Sequence, residues 1–253
     1  MSTPPSHFPD TRWTLLDAIR GRQEGWFEAL SEVCNIYWYP VYAFFRDDRK
    51  RHHDAQDLTQ GLFELVLDGD ELSNVDQAKG NFRAFLSAAA RNYARNERAM
   101  QNRQKRGGGK VLTGFDERLA KKLYSQERLV DNDDPQVLYD RRWALALIAR
   151  VLDDLRKEQE SAGKGDDFKV MVQFLEPNAR EEPYAKAAKK LGKSEAAMRV
   201  AVFRLRARFG ELLRFELAQL VSPQHGVIED EIRHLIASLK KGTTGTLGWL
   251  TEQ

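Results

Sequence analysis

The chain has a single cysteine, Cys34, among its 253 residues. One cysteine excludes an internal disulfide and a cysteine-rich zinc site. The sequence also lacks an apolar run long enough to cross a bilayer, and residues 1–12 lack the apolar core of a signal peptide. We therefore expect a cytoplasmic protein with no membrane partner.

Alternating apolar patterns and long β-branched runs are missing as well, and the apolar residues recur at helical spacing. Hydrophobic residues make up 42% of the chain, which is enough for a substantial core in one or two domains. An aromatic stretch over residues 37–45 predicts a buried helix, in which Pro40 either opens a new helix or kinks the existing one. These features predict an all-α fold, preceded by a proline-rich disordered lead at residues 1–10.

The chain has almost no net charge, +2 from 40 basic and 38 acidic residues, but the charge is unevenly distributed. Between Tyr184 and Phe215, nine basic residues stand against only two acidic ones, Glu195 and Glu211. A local cationic surface of this kind is typical of a protein that binds duplex DNA. Acidic residues elsewhere in the chain offset this segment.

The same segment has the spacing of a helix-turn-helix motif. A first helix from Tyr184 ends at Gly192, where a left-handed conformation costs little, and Ser194 follows at an N-cap position. The second helix has an apolar stripe and a basic remainder. The stripe is Met198, Val202, Leu205 and Phe209, and the other faces have Arg199, Phe203, Arg204, Arg206 and Arg208. The pattern also fits a basic pair of helices that only packs on a core. The excess of positive charge in this segment favours DNA binding instead.

Residues 52–67 predict a helix that Asp54 can cap. Its apolar side is Leu58, Leu62, Leu65 and Val66, and its polar side is Asp57, Gln60, Gly61 and Glu64. The polar side is either an ordinary solvated face or, with His53 and Asp54, the start of a histidine–aspartate metal site. The metal site needs further ligands on neighbouring helices, and apart from the adjacent His52 the remaining histidines stand at positions 7, 225 and 234. The sequence therefore favours a protein without a metal, a cofactor or a catalytic residue.

A further helix follows residues 80–81 and continues to Arg98. Its apolar side is Phe82, Phe85, Leu86, Ala89 and Tyr93, and its basic side is Arg83, Arg91, Arg95 and Arg98, with Asn92 and Asn96 interleaved. From Lys79 to Arg106 there are eight basic residues against Glu97 alone. Arginine and asparagine beside aromatic residues can hold a nucleic-acid backbone and contact unpaired bases.

Residues 102–134 contain the sequences KRGGGK and DNDDP, which predict a flexible linker between two halves. A new amphipathic helix begins after Pro135. Beyond Phe215, a last helix is predicted with apolar residues Val227, Ile228, Ile232, Leu235, Ile236 and Leu239. This stripe must be buried against a partner surface. Either it completes the C-terminal core, or it joins the two halves and covers a binding surface in the free protein, which would be autoinhibition.

Four motifs in this order, YWYPVYAFFR, DAQDLTQGLF, GNFRAFLSAAARNYARNE and SEAAMRVAVFRLRARF, resemble bacterial extracytoplasmic-function (ECF) sigma factors. The resemblance implies a sigma-two domain at 11–101, a linker at 102–135, a sigma-four helix-turn-helix domain at 136–215 and an additional C-terminal extension at 216–253. It implies a non-enzymatic transcription-initiation factor. The implied partners are core RNA polymerase, through its β′ clamp helices and β flap, promoter DNA, and an anti-sigma protein as a further candidate.

The resemblance also assigns three surfaces. The docking set, for polymerase, is Asp54, Asp57, Leu58 and Gln60. The minus-ten set, for strand opening, is Lys79, Asn81, Arg83, Asn92, Arg95 and Asn96. The minus-thirty-five set, for the major groove, is Lys193, Ser194, Glu195, Arg199, Phe203 and Arg206. Phe203 departs from the family pattern, in which a polar side chain or histidine is more usual, so the base preference stays open.

Two other functions remain open at this point. One is a promoter-binding regulator that does not act as a polymerase subunit. Such a regulator has no need of an acidic docking helix beside a basic one. The other is the metal-dependent hydrolase that the His53-Asp54 pair suggests.

Overall fold

The computed structural model describes residues 19, 21, 24, 26–47, 52–68, 82–100, 135–175, 182–218 and 227–240. These residues form eight α-helices and one 3-10 turn, without a strand, so the predicted all-α class is confirmed for this part of the chain. The helices are α1 (Trp26–Asp47), α2 (His52–Asp68), α3 (Phe82–Met100), α4 (Pro135–Ser161), α5 (Gly165–Met171), α6 (Glu182–Lys190), α7 (Glu195–Ala218) and α8 (Val227–Lys240). The 3-10 turn is Val172–Leu175.

Helix α1 lies at the centre of the N-terminal half. Ile36, Val41 and their aromatic neighbours are buried around the whole circumference of the helix, as expected for an α-helix that is apolar on every side. Pro40 lies inside α1, so it does not open a new helix. Cys34 is buried there too, and desolvation raises the pKa of its thiol to about 12, which keeps it protonated and unreactive.

Helices α2 and α3 complete this half by packing against α1 and against each other. The Phe63 ring of α2 stacks on Trp38 of α1, with ring centroids 5.8 Å apart. Gly61, predicted on the polar side of α2, instead faces Tyr93 of α3, where an added Cβ would come within 2.4 Å of the tyrosine hydroxyl. Leu65, predicted on the apolar side, is 46% exposed. The buried stripe of α2 therefore runs through Phe63 rather than Leu65.

Helix α4 connects the two halves. It packs most extensively against α1, and it also contacts α5, α7 and α8. Arg142 of α4 is fully buried and donates to both carboxylate oxygens of Asp47 in α1, with Nη2–Oδ1 at 3.1 Å. The buried apolar residues of both halves form one continuous core. The division into two domains stays a prediction, since the linker at 102–134 lies outside the described residues, but the two halves are in contact.

The C-terminal extension contributes α8, which packs against α4 and α7. Leu235 is buried, while Ile228, Ile232 and Leu239 are half-buried against the core. Ile236 was predicted on the buried stripe but is 44% exposed. No helix in the ranges that the structure describes is both long and apolar enough to span a membrane.

Candidate nucleic-acid interface

Helices α6 and α7 are joined by a tight turn that the local sequence specifies. Gly192 has a φ of +62°, in the left-handed region. The N–H of Lys193 donates to the carbonyl of Ala188 at 2.9 Å, which closes the end of α6 in the manner of a Schellman motif. Ser194 caps α7, because its Oγ accepts from the N–H of Ala197 at 3.2 Å. The two helices predicted here, and the tight turn between them, are present.

The two helices pack through the residues that the periodicity predicts. Ala187 and Ala188 of α6 are buried, and small side chains here allow the close approach of α7. On α7, Met198, Val202 and Leu205 are buried, and Phe209 is half-buried. The opposite face of α7 is therefore presented to solvent. Its exposed residues include Arg199, Val200, Phe203, Arg204, Arg206 and Arg208.

Several of the predicted cations of this surface are neutralised by acidic partners. Lys193 pairs with Asp167 of α5. Arg199 lies 2.8 Å from Glu195 Oε1, and its guanidinium carbon is 4.9 Å from the centre of the Tyr184 ring. Other pairs in this region are Arg208 with Glu158 and Glu211, and Arg214 with Glu229.

Other arginines and lysines of the motif also face solvent. Arg206 donates from Nε to the carbonyl of Phe174 at 2.8 Å, which holds the 3-10 turn against α7. Lys186, Lys189, Lys190 and Arg204 are exposed and have no ion-pair partner within the described ranges. The uncompensated positive charge is therefore concentrated on the outer side of α6 and the exposed face of α7.

Arg83 was assigned to the minus-ten set, but its position in the structure contradicts that prediction. It is 7% exposed and lies between α3, α4 and α8 instead of facing solvent. It pairs with Asp140 of α4 and lies 3.5 Å from the Glu231 carboxylate of α8, and its Nη1 is 2.9 Å from His234 Nε2. Burial alone would lower the pKa of Arg83, but the two carboxylates outweigh this effect and raise it. Arg83 is therefore a structural cation and is not available to DNA.

The partners of Arg83 are residues that sequence reasoning missed. We call the buried residues Arg83, Asp140 and Glu231, together with the half-buried His234 at their edge, the buried ionic cluster. His234 Nε2 also lies 3.3 Å from Asp140 Oδ2, and the Arg83 guanidinium lies over the Trp143 ring at 4.9 Å. The sequence carried no signal for this, because Arg91 lies two turns from Arg83 on the same side of the helix, through Ser87, and yet is exposed.

Three other residues of the minus-ten set on α3 are accessible. Arg95, Asn92 and Asn96 are exposed, and Arg95 Nη2 donates to Asn92 Oδ1 at 2.6 Å. Arg91 is exposed and donates to Gln136 of α4 at 2.6 Å. Lys79 and Asn81, also in the minus-ten set, lie outside the described residues.

The docking set on α2 is divided by the fold. Asp54 and Asp57 are exposed, and Gln60 is half-buried and donates to Glu64 at 3.0 Å. Leu58 is only 8% exposed, because it belongs to the apolar side that packs on the core. The accessible part of this surface is therefore the pair of aspartates.

The histidine–aspartate metal site finds no support in the geometry. His52 Nδ1 is 2.7 Å from the Tyr42 hydroxyl, and His53 is exposed. Within the part of the chain that the structure describes, no group of three histidine, cysteine or acidic side chains could hold a metal ion.

Comparisons with known proteins give no relative from which a role could be transferred. No protein-family model matches the chain, and no curated protein and no solved structure is significantly similar to it.

Proposed function

We propose that this chain is a sigma-type transcription-initiation factor that binds core RNA polymerase and directs it to promoter DNA. The observation that carries the proposal is the helix-turn-helix of α6 and α7. Its second helix is capped by Ser194, packed on one side through Met198 and exposed on the other. An exposed α-helix of this kind fits the major groove, which is about 12 Å wide.

The charge distribution supports duplex DNA as the ligand of this motif. Lys186, Lys189 and Lys190 of α6 and Arg204 of α7 are exposed cations without an ion-pair partner in the described ranges. Cations on both sides of a recognition helix can contact the phosphates that border the groove. Each phosphate neutralised in this way releases counterions, so binding should weaken steeply with salt.

The resemblance to ECF sigma factors supports the polymerase half of the proposal. Asp54 and Asp57 are exposed on adjacent turns of α2 and form an acidic patch on the side away from the core. A small charged patch of this kind is suited to a complementary basic surface on a partner protein. Arg95, Asn92 and Asn96 of α3 remain as the accessible residues for the minus-ten element.

Binding of the chain to a bacterial core RNA polymerase tests the proposal. We expect the wild-type chain to form a complex with core enzyme and to support run-off transcription from genomic DNA. Asp57→Arg should abolish the complex, because the reversed charge opposes a basic partner surface. Asp166→Arg is the matched control, since Asp166 is an exposed aspartate of α5 outside the docking set.

Three outcomes contradict the proposal in different ways. Equal affinity of wild type and Asp57→Arg for core enzyme removes the assignment of the α2 surface. Sequence-specific DNA binding without any binding of core enzyme identifies the chain as a promoter-binding regulator instead. If the chain does not bind DNA, or binds it with an affinity that salt does not change, the proposed DNA-binding role of α6 and α7 is wrong.

A further inference from the structure

Helix α7 exposes two large apolar side chains on the face opposite its buried stripe. Phe203 is 72% exposed and Val200 is 49% exposed. The two stand three residues apart and therefore share one face of the helix. Scattered exposed apolar residues are ordinary on a protein surface. Two such residues on one face of a proposed recognition helix indicate a partner surface that contacts them.

The surroundings of this pair indicate what that partner is. Arg199 precedes Val200 and Arg204 follows Phe203, so guanidinium groups flank the apolar face on both sides. Arg204 has no acidic partner in the described ranges, whereas Arg199 is paired with Glu195. Lys189 and Lys190 of α6 add exposed positive charge nearby along the motif. An apolar face surrounded by cations is complementary to a polyanion that has apolar groups on its own surface.

The major groove of DNA meets both requirements. Phosphates border the groove, and the 5-methyl group of thymine is the apolar group that base pairs present there. Adenine, guanine and cytosine present hydrogen-bond donors and acceptors in that groove but no methyl group. A phenylalanine ring replaces the hydrogen bonds of those groups to water poorly, so contact with them is unfavourable.

We propose that Phe203, together with Val200, recognises thymine 5-methyl groups in the major groove, so that the DNA element bound by α7 contains thymine at the position facing Phe203. This inference rests on the proposed function, because it requires α7 to enter the groove. Phe203 is then a specificity-determining residue: it selects thymine through methyl contact, while the flanking arginines contact phosphates and base edges.

Replacement of thymine by deoxyuridine tests the inference directly, because it removes the methyl group and leaves the hydrogen bonds of the base pair unchanged. The full chain, alone and with core polymerase, first selects its preferred duplexes from a randomised oligonucleotide pool. Each thymine of the selected duplex is then replaced by deoxyuridine in turn. We expect about fourfold weaker binding at one or two thymines, the effect of losing one buried methyl-sized contact.

The variant Phe203→Ala completes a double-mutant cycle with the methyl group. It should bind the thymine duplex about four- to tenfold more weakly than wild type and should bind thymine and deoxyuridine duplexes equally. Phe203 is exposed, so the substitution should leave the fold intact. Leu65→Ala is the matched control, because it removes an exposed apolar side chain of α2 and should leave both affinities unchanged.

The outcomes separate this inference from the proposed function. Salt-dependent, sequence-specific binding that is equal for thymine and deoxyuridine duplexes overturns the role of Phe203 and leaves the proposed function standing. If Phe203→Ala still binds thymine duplexes more tightly than deoxyuridine duplexes, as wild type does, the role of Phe203 is also overturned. Loss of core polymerase binding in Phe203→Ala, with DNA binding unchanged, shows that the apolar face contacts protein. Absence of all DNA binding overturns the proposed function and this inference together.

Discussion

Helices α3 and α7 both have arginines interspersed among apolar residues, yet the structure uses these arginines in different ways. On α3, Arg83 is enclosed by α4 and α8 and is neutralised by Asp140 and Glu231. On α7, Arg204 is exposed and meets no acidic partner in the described ranges. A basic residue beside an apolar stripe therefore does not by itself define a nucleic-acid surface. What matters is whether another element covers that side of the helix.

Helix α8 accounts for much of this difference. It contacts α4 and the C-terminal part of α7, where Arg214 pairs with Glu229 at 3.1 Å, and it provides Glu231 and His234 to the buried ionic cluster. Asp57 and Phe203 remain exposed with α8 in place. The buried ionic cluster contains one residue of the three predicted sets, Arg83, and α8 contacts it through Glu231 and His234. Autoinhibition through α8 therefore stays a prediction, and the exposure of the other residues favours a structural role.

Removal of the buried arginine should give the largest effect. Arg83→Met leaves Asp140 and Glu231 without their cation, and breaking a buried ion pair in this way costs about 3–5 kcal/mol of the free energy of unfolding. Arg91→Met, at an exposed position of the same helix, should cost less than about 1 kcal/mol. Urea unfolding of both variants measures the difference. Equal stabilities would show that Arg83 is not buried among carboxylates in solution.

Truncation after Ala218 removes α8 and should have the next largest effect. The loss of Leu235 burial and of the Glu231 contact, partly offset by the entropy of the released segment, should lower the free energy of unfolding by about 2 kcal/mol. Binding of DNA through α7 should stay within about twofold, because α8 leaves Phe203 and Arg204 exposed. Thermal unfolding and titration with promoter DNA measure the two effects. Tighter binding of DNA or core polymerase by the shortened chain would instead establish autoinhibition.

Two neighbouring arginines of α7 should separate stability from DNA binding. Arg206→Ala removes the hydrogen bond to the Phe174 carbonyl and should cost about 1 kcal/mol of stability. Arg204→Ala should change stability by less than about 0.5 kcal/mol. If Arg204 contacts a phosphate, its loss should reduce the slope of log K against log salt by about 0.9. An unchanged slope would place Arg204 away from the DNA backbone.

The smallest predicted effect is a pH dependence from Glu158. The hydrogen bonds from Arg208 lower the pKa of Glu158 below its ordinary value. A lowered pKa contributes stability above the unfolded-state value of about 4.3, and this stability is lost as the pH falls through the folded-state pKa. Because the pair is partly exposed, the contribution should be below about 1 kcal/mol. The stability difference between wild type and Glu158→Gln should therefore be constant at neutral pH and shrink below about pH 4. A difference that persists in acid would contradict this.

The sequence by itself determined the features that depend on local interactions. The end of α6 at Gly192, the cap at Ser194 and the buried stripe through Met198 are set by residues within a few positions of one another. Backbone conformation, capping and helical periodicity act over one or two turns, so a single sequence reveals them. The all-α class follows from the same periodicity.

Only the tertiary structure decided which helix faces are covered. Arg83 is buried because residues 57 and 148 positions later in the chain provide its carboxylate partners. Leu65 and Ile236 are exposed, and Gly61 is enclosed, because neighbouring helices cover one side of α2 and α8 and not the other. Helical periodicity fixes which residues share a face, but packing against distant elements fixes which face meets solvent. For the arginines of α3 and α7, that packing separates a structural cation from a candidate DNA contact.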